Sequence, residues 1–245
     1  MTARGAAERS PAGSHPWGLT EAFVGFAVGL VLSGLAAAAA QALSGSRAGP
    51  SGSLPVAATV AGLVGLWVGL AGASVGASRR HAGAGLVADF GLRVAGWKDL
   101  AGGAVVGLAC QYVLIPAVYL PFEQINPSLS HQLARPAEQN VGASHGVVAG
   151  VVLVGFLAVG APLVEELVFR GLLLRALLGR TRAPVAVVLS ALLFALAHFE
   201  AVQFAGLALF GCVLGYLAWR TGRLGPGMAA HAAFNAAAVV TLLLR

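Results

Sequence analysis

Long apolar runs separated by short polar segments make up most of the chain. The runs cover about residues 20–43, 55–77, 101–122, 147–174, 184–199, 201–219 and 226–244. Most of them are close to the roughly 20 residues that an α-helix needs to cross the hydrocarbon core of a bilayer. The pattern therefore predicts an all-α fold, a polytopic transmembrane helix bundle with about seven spans.

The polar segments suggest how the chain is divided. Residues 1–19 are rich in Gly, Ser and Pro and predict a mobile N-terminal tail. Residues 20–144 then form N-terminal transmembrane helices, and residues 145–245 form a second group of helices. Apolar residues between Leu86 and Trp97 recur on one helical face, which predicts an interfacial helix near 86–99 with Trp97 as its anchor.

Composition supports a membrane protein and excludes other classes. The chain is 58% hydrophobic and only 10% charged, whereas a soluble domain carries about 25% charged residues. The net charge of +6 comes from basic residues scattered singly and in pairs. There is no basic groove with interleaved aromatic residues, so the expected partner is the lipid bilayer and not nucleic acid.

The basic residues also predict an orientation. Counted over alternate polar segments, Lys and Arg number eleven on one side and three on the other. By the positive-inside rule, the N-terminus is cytoplasmic and the C-terminus lies outside the cell membrane. Cys110 and Cys212 lie in apolar runs, which favours buried free thiols over a disulfide or a cysteine metal site.

Glycines recur four residues apart in several spans. Such pairs permit close helix contacts in a bilayer, although a glycine-rich composition also produces them by chance. The pairs are Gly25 and Gly29, Gly65 and Gly69, Gly103 and Gly107, and Gly211 and Gly215.

Placing a charged residue inside a span costs roughly several kcal/mol of free energy unless the residue is paired or faces a polar cavity. The fourth span contains Glu165, Glu166 and Arg170. Glu166 and Arg170 are four residues apart and can pair, either as a structural ion pair or as part of a site. Glu165 points about 100° away, so its carboxylate stays free for chemistry.

Two later spans carry isolated polar groups. His198 shares a helical face with Phe194 in span five, and His231 shares one with Asn235 in span seven. Each alone is equally well explained as an interhelical hydrogen-bond partner. Together with the glutamates they suit hydrolysis: a carboxylate beside an imidazole can deprotonate water, and His with Asn can stabilise an oxyanion.

These motifs resemble a known family. The sequence EExxxR at Glu165, Glu166 and Arg170 is followed by FxxxH ending at His198 and by HxxxN from His231 to Asn235. In this order they are similar to the CPBP family, which includes type II CAAX prenyl endopeptidases, bacteriocin-processing and self-immunity proteins and lysostaphin-resistance proteins. The resemblance covers about residues 145–245 and implies catalytic helices there.

The resemblance implies a role for each motif residue. Glu165 would activate water with the help of His198, and His231 with Asn235 would stabilise the oxyanion. Glu166 and Arg170 would brace the site or orient the peptide. No HExxH motif is present. Glu165, His198 and His231 could hold zinc or a water, so a metalloprotease and a glutamate protease both remain open.

Three functions follow from this set. The first is an intramembrane endopeptidase that cuts a peptide or protein substrate near or within the bilayer. The second is a non-proteolytic membrane scaffold or immunity-type partner that uses the polar cluster for packing or binding. The third is an ion or proton pathway, which is weakened by the nearly apolar early spans. The Ala, Gly and Arg bias is typical of a high-GC bacterium, where prenylated CAAX substrates are unexpected.

Overall fold

The described part of the chain is helical. The structure, a computed structural model, describes residues 18–45, 54–81, 83–142, 151–152 and 154–243. These residues form nine helices and no strand: α1 (Leu19–Ser44), α2 (Val56–Arg80), α3 (Leu86–Phe90), α4 (Trp97–Ile125), α5 (Leu129–Gly142), α6 (156–178), α7 (Ala183–Leu196), α8 (Phe204–Thr221) and α9 (Gly225–Leu243). The predicted all-α helical bundle is confirmed. Nearly all of the predicted tail, residues 1–17, lies outside the described residues.

Long helices coincide with the apolar runs of the sequence. Four helices in the described part, α1, α2, α4 and α8, are long and apolar enough to cross a membrane. The helix α7 is apolar but shorter, with 14 residues. The structure therefore supports a membrane-embedded bundle, and the span count of seven stays a prediction.

The prediction of one continuous helix near 86–99 is wrong, because residues 91–96 are not helical. A helix forms only over Leu86–Phe90, and Gly91, at φ 68°, ends it in the left-handed region that glycine adopts without strain. The backbone carbonyls of Gly91 and Arg93 instead accept hydrogen bonds from the amides of Leu224 and Gly225. Phe90 is fully buried, and these backbone bonds hold the segment against the start of α9. Its location at the membrane interface stays a prediction.

The spaced glycines lie at helix contacts. A Cβ on Gly69 would overlap the backbone of Gly29, so α1 and α2 touch through glycine. Gly103 and Gly107 contact the backbone of α9 in the same way, and Gly211 lies against Ala191 of α7. The interpretation of these pairs as sites of close helix contact is confirmed.

The helix α6 lies at the centre of the C-terminal half. Every residue from Glu166 to Leu177 is buried. The rest of the bundle surrounds this stretch, with α1 and α2 on one side and α7, α8 and α9 on the others. Polar groups on α6 must therefore be satisfied by neighbouring helices, which is what positions the candidate site.

Candidate active site

A buried ion pair on α6 forms one side of the site. Glu166 and Arg170 are both completely buried, and Arg170 Nη1 donates a hydrogen bond to Glu166 Oε1 at 2.9 Å. The second guanidinium nitrogen, Nη2, donates to the carbonyl of Gly211 on α8 at 3.2 Å. The guanidinium carbon also lies 4.3 Å from the ring centre of Phe194, within the range of a cation–π contact. The i,i+4 pair predicted from the sequence is present.

Glu165 faces a different direction and stays unpaired by Arg170. Its Oε2 lies 4.0 Å from Nε2 of His198 and 3.7 Å from Nε2 of His231. Both distances exceed the roughly 3.2 Å of a direct N–H···O hydrogen bond. Among the described residues, this buried oxygen has no hydrogen-bond partner. The structure therefore points one free carboxylate oxygen at two imidazoles, one from the turn after α7 and one from α9.

His198 lies just beyond the end of α7, in the turn 197–199. Its Nδ1 is 2.8 Å from the carbonyl oxygen of Phe194. Because a carbonyl only accepts hydrogen bonds, Nδ1 is the donor. In the neutral ring, Nε2 is then an acceptor that faces Glu165, which is the arrangement that can receive a proton from water.

His231 is almost fully buried on α9 and touches both carboxylates. Its Nδ1 is 3.2 Å from Glu166 Oε1, and its Nε2 faces Glu165. The ring makes edge contacts with Phe194 and Phe210, with centroids 5.6 and 5.4 Å apart. The Glu166–Arg170 pair thus holds the His231 ring from one side, and two aromatic rings restrict its rotation.

Asn235 lies one turn beyond His231 and is tied to α6. Its Nδ2 donates to the carbonyl of Leu157 at 2.9 Å. The Leu157 carbonyl has no donor within its own helix. The amide of Ala161, four residues on, bonds to the carbonyl of Phe156 in the π-helical pattern, and Pro162, five residues on, has no N–H. The second amide proton of Asn235 and its carbonyl oxygen remain for other contacts.

The structure thus brings together the residues that the motifs singled out. Five of the six side chains form pairs within 4.0 Å of one another, and they come from α6, α9 and the turn after α7. Asn235 is tied to α6 through the carbonyl of Leu157. The six are Glu165, Glu166, Arg170, His198, His231 and Asn235. Sequence spacing predicted the pairs on one helix, and the fold supplies the contacts between helices.

An apolar cavity beside the site was missed from the sequence. It has a volume of about 200 Å³ and lies between α1, α6 and the end of α7. Phe26, Val168 and Leu193 are among its lining residues, together with Ala197 and Phe199 on either side of His198. No polar signal marks these residues, so only the arrangement of three elements could have located the cavity.

Zinc binding stays a prediction. Among the described residues, no group of three or more His, Cys, Asp and Glu side chains has the spacing of a metal site. Glu165, His198 and His231 would have to move closer to reach the roughly 2.0–2.1 Å bonds of a tetrahedral zinc.

Comparison with known proteins agrees with the geometry over part of the chain. Residues 147–237, fewer than half of the total, match the family described as Type II CAAX prenyl endopeptidase Rce1-like. No match was found among the curated proteins or the solved structures. The matched residues include all three motifs and every side chain of the site. The resemblance drawn from those motifs is confirmed: residues 147–237 are similar to the Rce1-like type II CAAX prenyl endopeptidases.

Proposed function

We propose that the protein is an intramembrane endopeptidase in which Glu165 activates water. The observation that carries this proposal is the free Oε2 of Glu165, which faces two imidazole Nε2 atoms at 4.0 and 3.7 Å. These separations are too long for direct hydrogen bonds and short enough for a water to bridge them. A half-buried carboxylate and imidazole that share one water would form a general base.

Hydrolysis would proceed in two proton transfers. Glu165 takes a proton from the water, whose second proton is held by Nε2 of His198, and the hydroxide attacks the carbonyl carbon of the peptide. The second amide proton of Asn235 donates to the oxyanion that forms. Because Nδ1 of His231 donates to Glu166, His231 joins it as a donor from Nε2 only when its ring is the imidazolium. Glu165 then returns its proton to the departing nitrogen as the C–N bond breaks. Glu166 and Arg170 keep the His231 ring in place.

The surroundings favour a membrane-associated peptide substrate. The apolar cavity next to His198 suits an apolar group close to the scissile bond. The matched family acts, by its description, on prenylated CAAX sequences. We infer a peptide or protein substrate presented from the bilayer of the cell membrane.

The experiment is cleavage by purified protein in proteoliposomes. The first probe is an internally quenched farnesylated CAAX peptide. The second probe is any membrane peptide that is found to lose its terminal residues only in cells that contain the protein. Glu165→Gln keeps the size of the side chain and removes the base. We expect at least a 100-fold lower rate, the usual contribution of general base catalysis being about 10²–10⁴.

Glu138→Gln is the matched control, since Glu138 is exposed on α5 and takes no part in the hydrogen bonds and ion pairs of the cluster. It should cleave like the wild type. Persistence of cleavage in Glu165→Gln would exclude this mechanism. If a biological effect of the chain survives Glu165→Gln while no cleavage occurs, the scaffold or immunity-type function is favoured instead.

A further inference from the structure

The turn that carries His198 has an unusual backbone. Phe199, the next residue, has φ 55°, and it is the one non-glycine residue with positive φ in the described part. A bulky side chain rarely adopts this left-handed conformation, and it persists where the surroundings hold it. Residues 200–203 then complete the connection to α8 without regular helix. The position of His198 therefore depends on what fixes this connection.

Tyr119 of α4, which lies outside the family match over residues 147–237, holds the connection between His198 and α8 in place. Its hydroxyl donates to the carbonyl of Val202 at 3.0 Å and accepts from the amide of Gly206 at 2.9 Å. Tyr119 is only 6% exposed, so water does not compete well for these bonds. One phenol thus bonds both to the connection and to the first turn of α8.

This hydroxyl replaces a helix cap. The N-cap residue of α8, Gln203, makes no side-chain capping bond, and its Nε2 donates instead to the carbonyl of Leu133 on α5 at 2.7 Å. The Gly206 amide, in the first helical turn, would otherwise lack an acceptor. The connection between α7 and α8 is therefore held by α4 and α5.

We propose that Tyr119 is a positioning residue for His198. It acts through the Val202 and Gly206 bonds, which keep the 197–203 connection in the conformation that directs His198 Nε2 at Glu165. The inference rests on the proposed endopeptidase function. It assigns a role to the N-terminal helices, which carry no catalytic motif.

The test is Tyr119→Phe in the full-length protein, which removes the hydroxyl and keeps the ring. With the farnesylated CAAX peptide as probe, we expect kcat to fall about ten-fold and KM to stay within two-fold, because a small misplacement of a catalytic group slows the chemical step. Hydrogen exchange at residues 201–206 should accelerate, a measurement that needs no substrate.

Tyr112→Phe is the matched control. Tyr112 lies on the same helix, is exposed, and its hydroxyl contacts Thr241 Oγ1 at 3.2 Å, away from the connection. It should leave kcat and the 201–206 exchange unchanged. A second variant, Gln203→Met, removes the Leu133 bond and should also lower kcat, which keeps the test valid if Tyr119→Phe folds poorly.

The outcomes separate the two proposals. If Glu165→Gln is inactive and both Tyr119→Phe and Gln203→Met keep wild-type kcat, the positioning role is wrong and the endopeptidase function stands. A change in KM alone also contradicts positioning. If Glu165→Gln still cleaves, Glu165 is not the general base, and the positioning role, which depends on the approach of His198 to Glu165, fails with that mechanism.

Discussion

Arg170 is the largest side chain that the described structure buries completely. Its charge is offset by Glu166, the Gly211 carbonyl and the face of Phe194. Removing one partner of such a pair leaves an uncompensated buried charge, whereas replacing both partners by uncharged groups is much less costly. Arg170 therefore contributes by neutralising Glu166 as much as by any contact of its own.

We expect Arg170→Met to destabilise the protein by about 3–5 kcal/mol, and the double variant Arg170→Met with Glu166→Gln to recover a clear part of that loss. His231, whose Nδ1 also contacts Glu166, limits the recovery. Thermal unfolding in detergent measures both. Arg220→Met, at an exposed position in α8, should change little. Equal losses in the single and double variants would contradict this account.

Individual site residues differ in how far the sequence could predict their contacts. Spacing along one helix was sufficient to predict the ion pair between Glu166 and Arg170, because side chains four residues apart share a face in any α-helix. The approach of Glu165 to two imidazoles depends on where three helices cross, which no spacing contains. The Asn235 bond to Leu157 depends on a carbonyl freed by π-helical bonding, and Tyr119 lies among residues without a motif.

At the scale of elements, helix limits followed the apolar runs within a few residues because hydrophobic length determines where a span ends. The polar composition of α5 (Leu129–Gly142) and its internal Pro136 gave no helical signal in the sequence. The helix predicted near 86–99 is interrupted because helical periodicity continues through 91–96, whereas the backbone of that segment bonds to the start of α9. Long-range backbone pairing of this kind leaves no periodic signal.

The contact between α1 and α2 gives a direct test of glycine packing. In Gly69→Ala the new methyl group would overlap the backbone of Gly29, so the two helices must separate. We expect a loss of stability of about 1–3 kcal/mol, the usual cost of overpacking. Thermal unfolding in detergent measures the change.

Gly72→Ala is the matched control on the same helix, because a Cβ there meets open space. It should leave stability unchanged or raise it slightly, since alanine favours the helix by about 1 kcal/mol. Similar destabilisation by both alanines would show that the loss does not come from the approach of α1 to α2.

At the scale of the whole molecule, the basic segments meet at one end of the bundle. His81 after α2 contacts Glu21 of α1 at 2.9 Å, and Arg223 before α9 makes a two-point ion pair with Asp99 of α4. Arg175, near the end of α6, is buried and donates to the carbonyl of Gly222. This end therefore combines charges that orient the chain with charges that fix the start of α9.

The positive-inside rule predicts that this end is cytoplasmic, and labelling can test it. With Cys110 and Cys212 replaced by Ala, Arg182→Cys introduces a thiol at the exposed start of α7, and Ser130→Cys introduces one on α5, at the other end of α4. A membrane-impermeant maleimide applied to spheroplasts should label Ser130→Cys at once and Arg182→Cys only after permeabilisation. The reverse labelling pattern would show that the protein has the opposite orientation in the membrane. His231 lies six residues into α9, about 9 Å along the helix from this end. The orientation therefore also decides from which side of the bilayer a substrate reaches Glu165. The substrate enters from the cytoplasmic side if Arg182→Cys is protected from the label, and from the outer side if it is labelled.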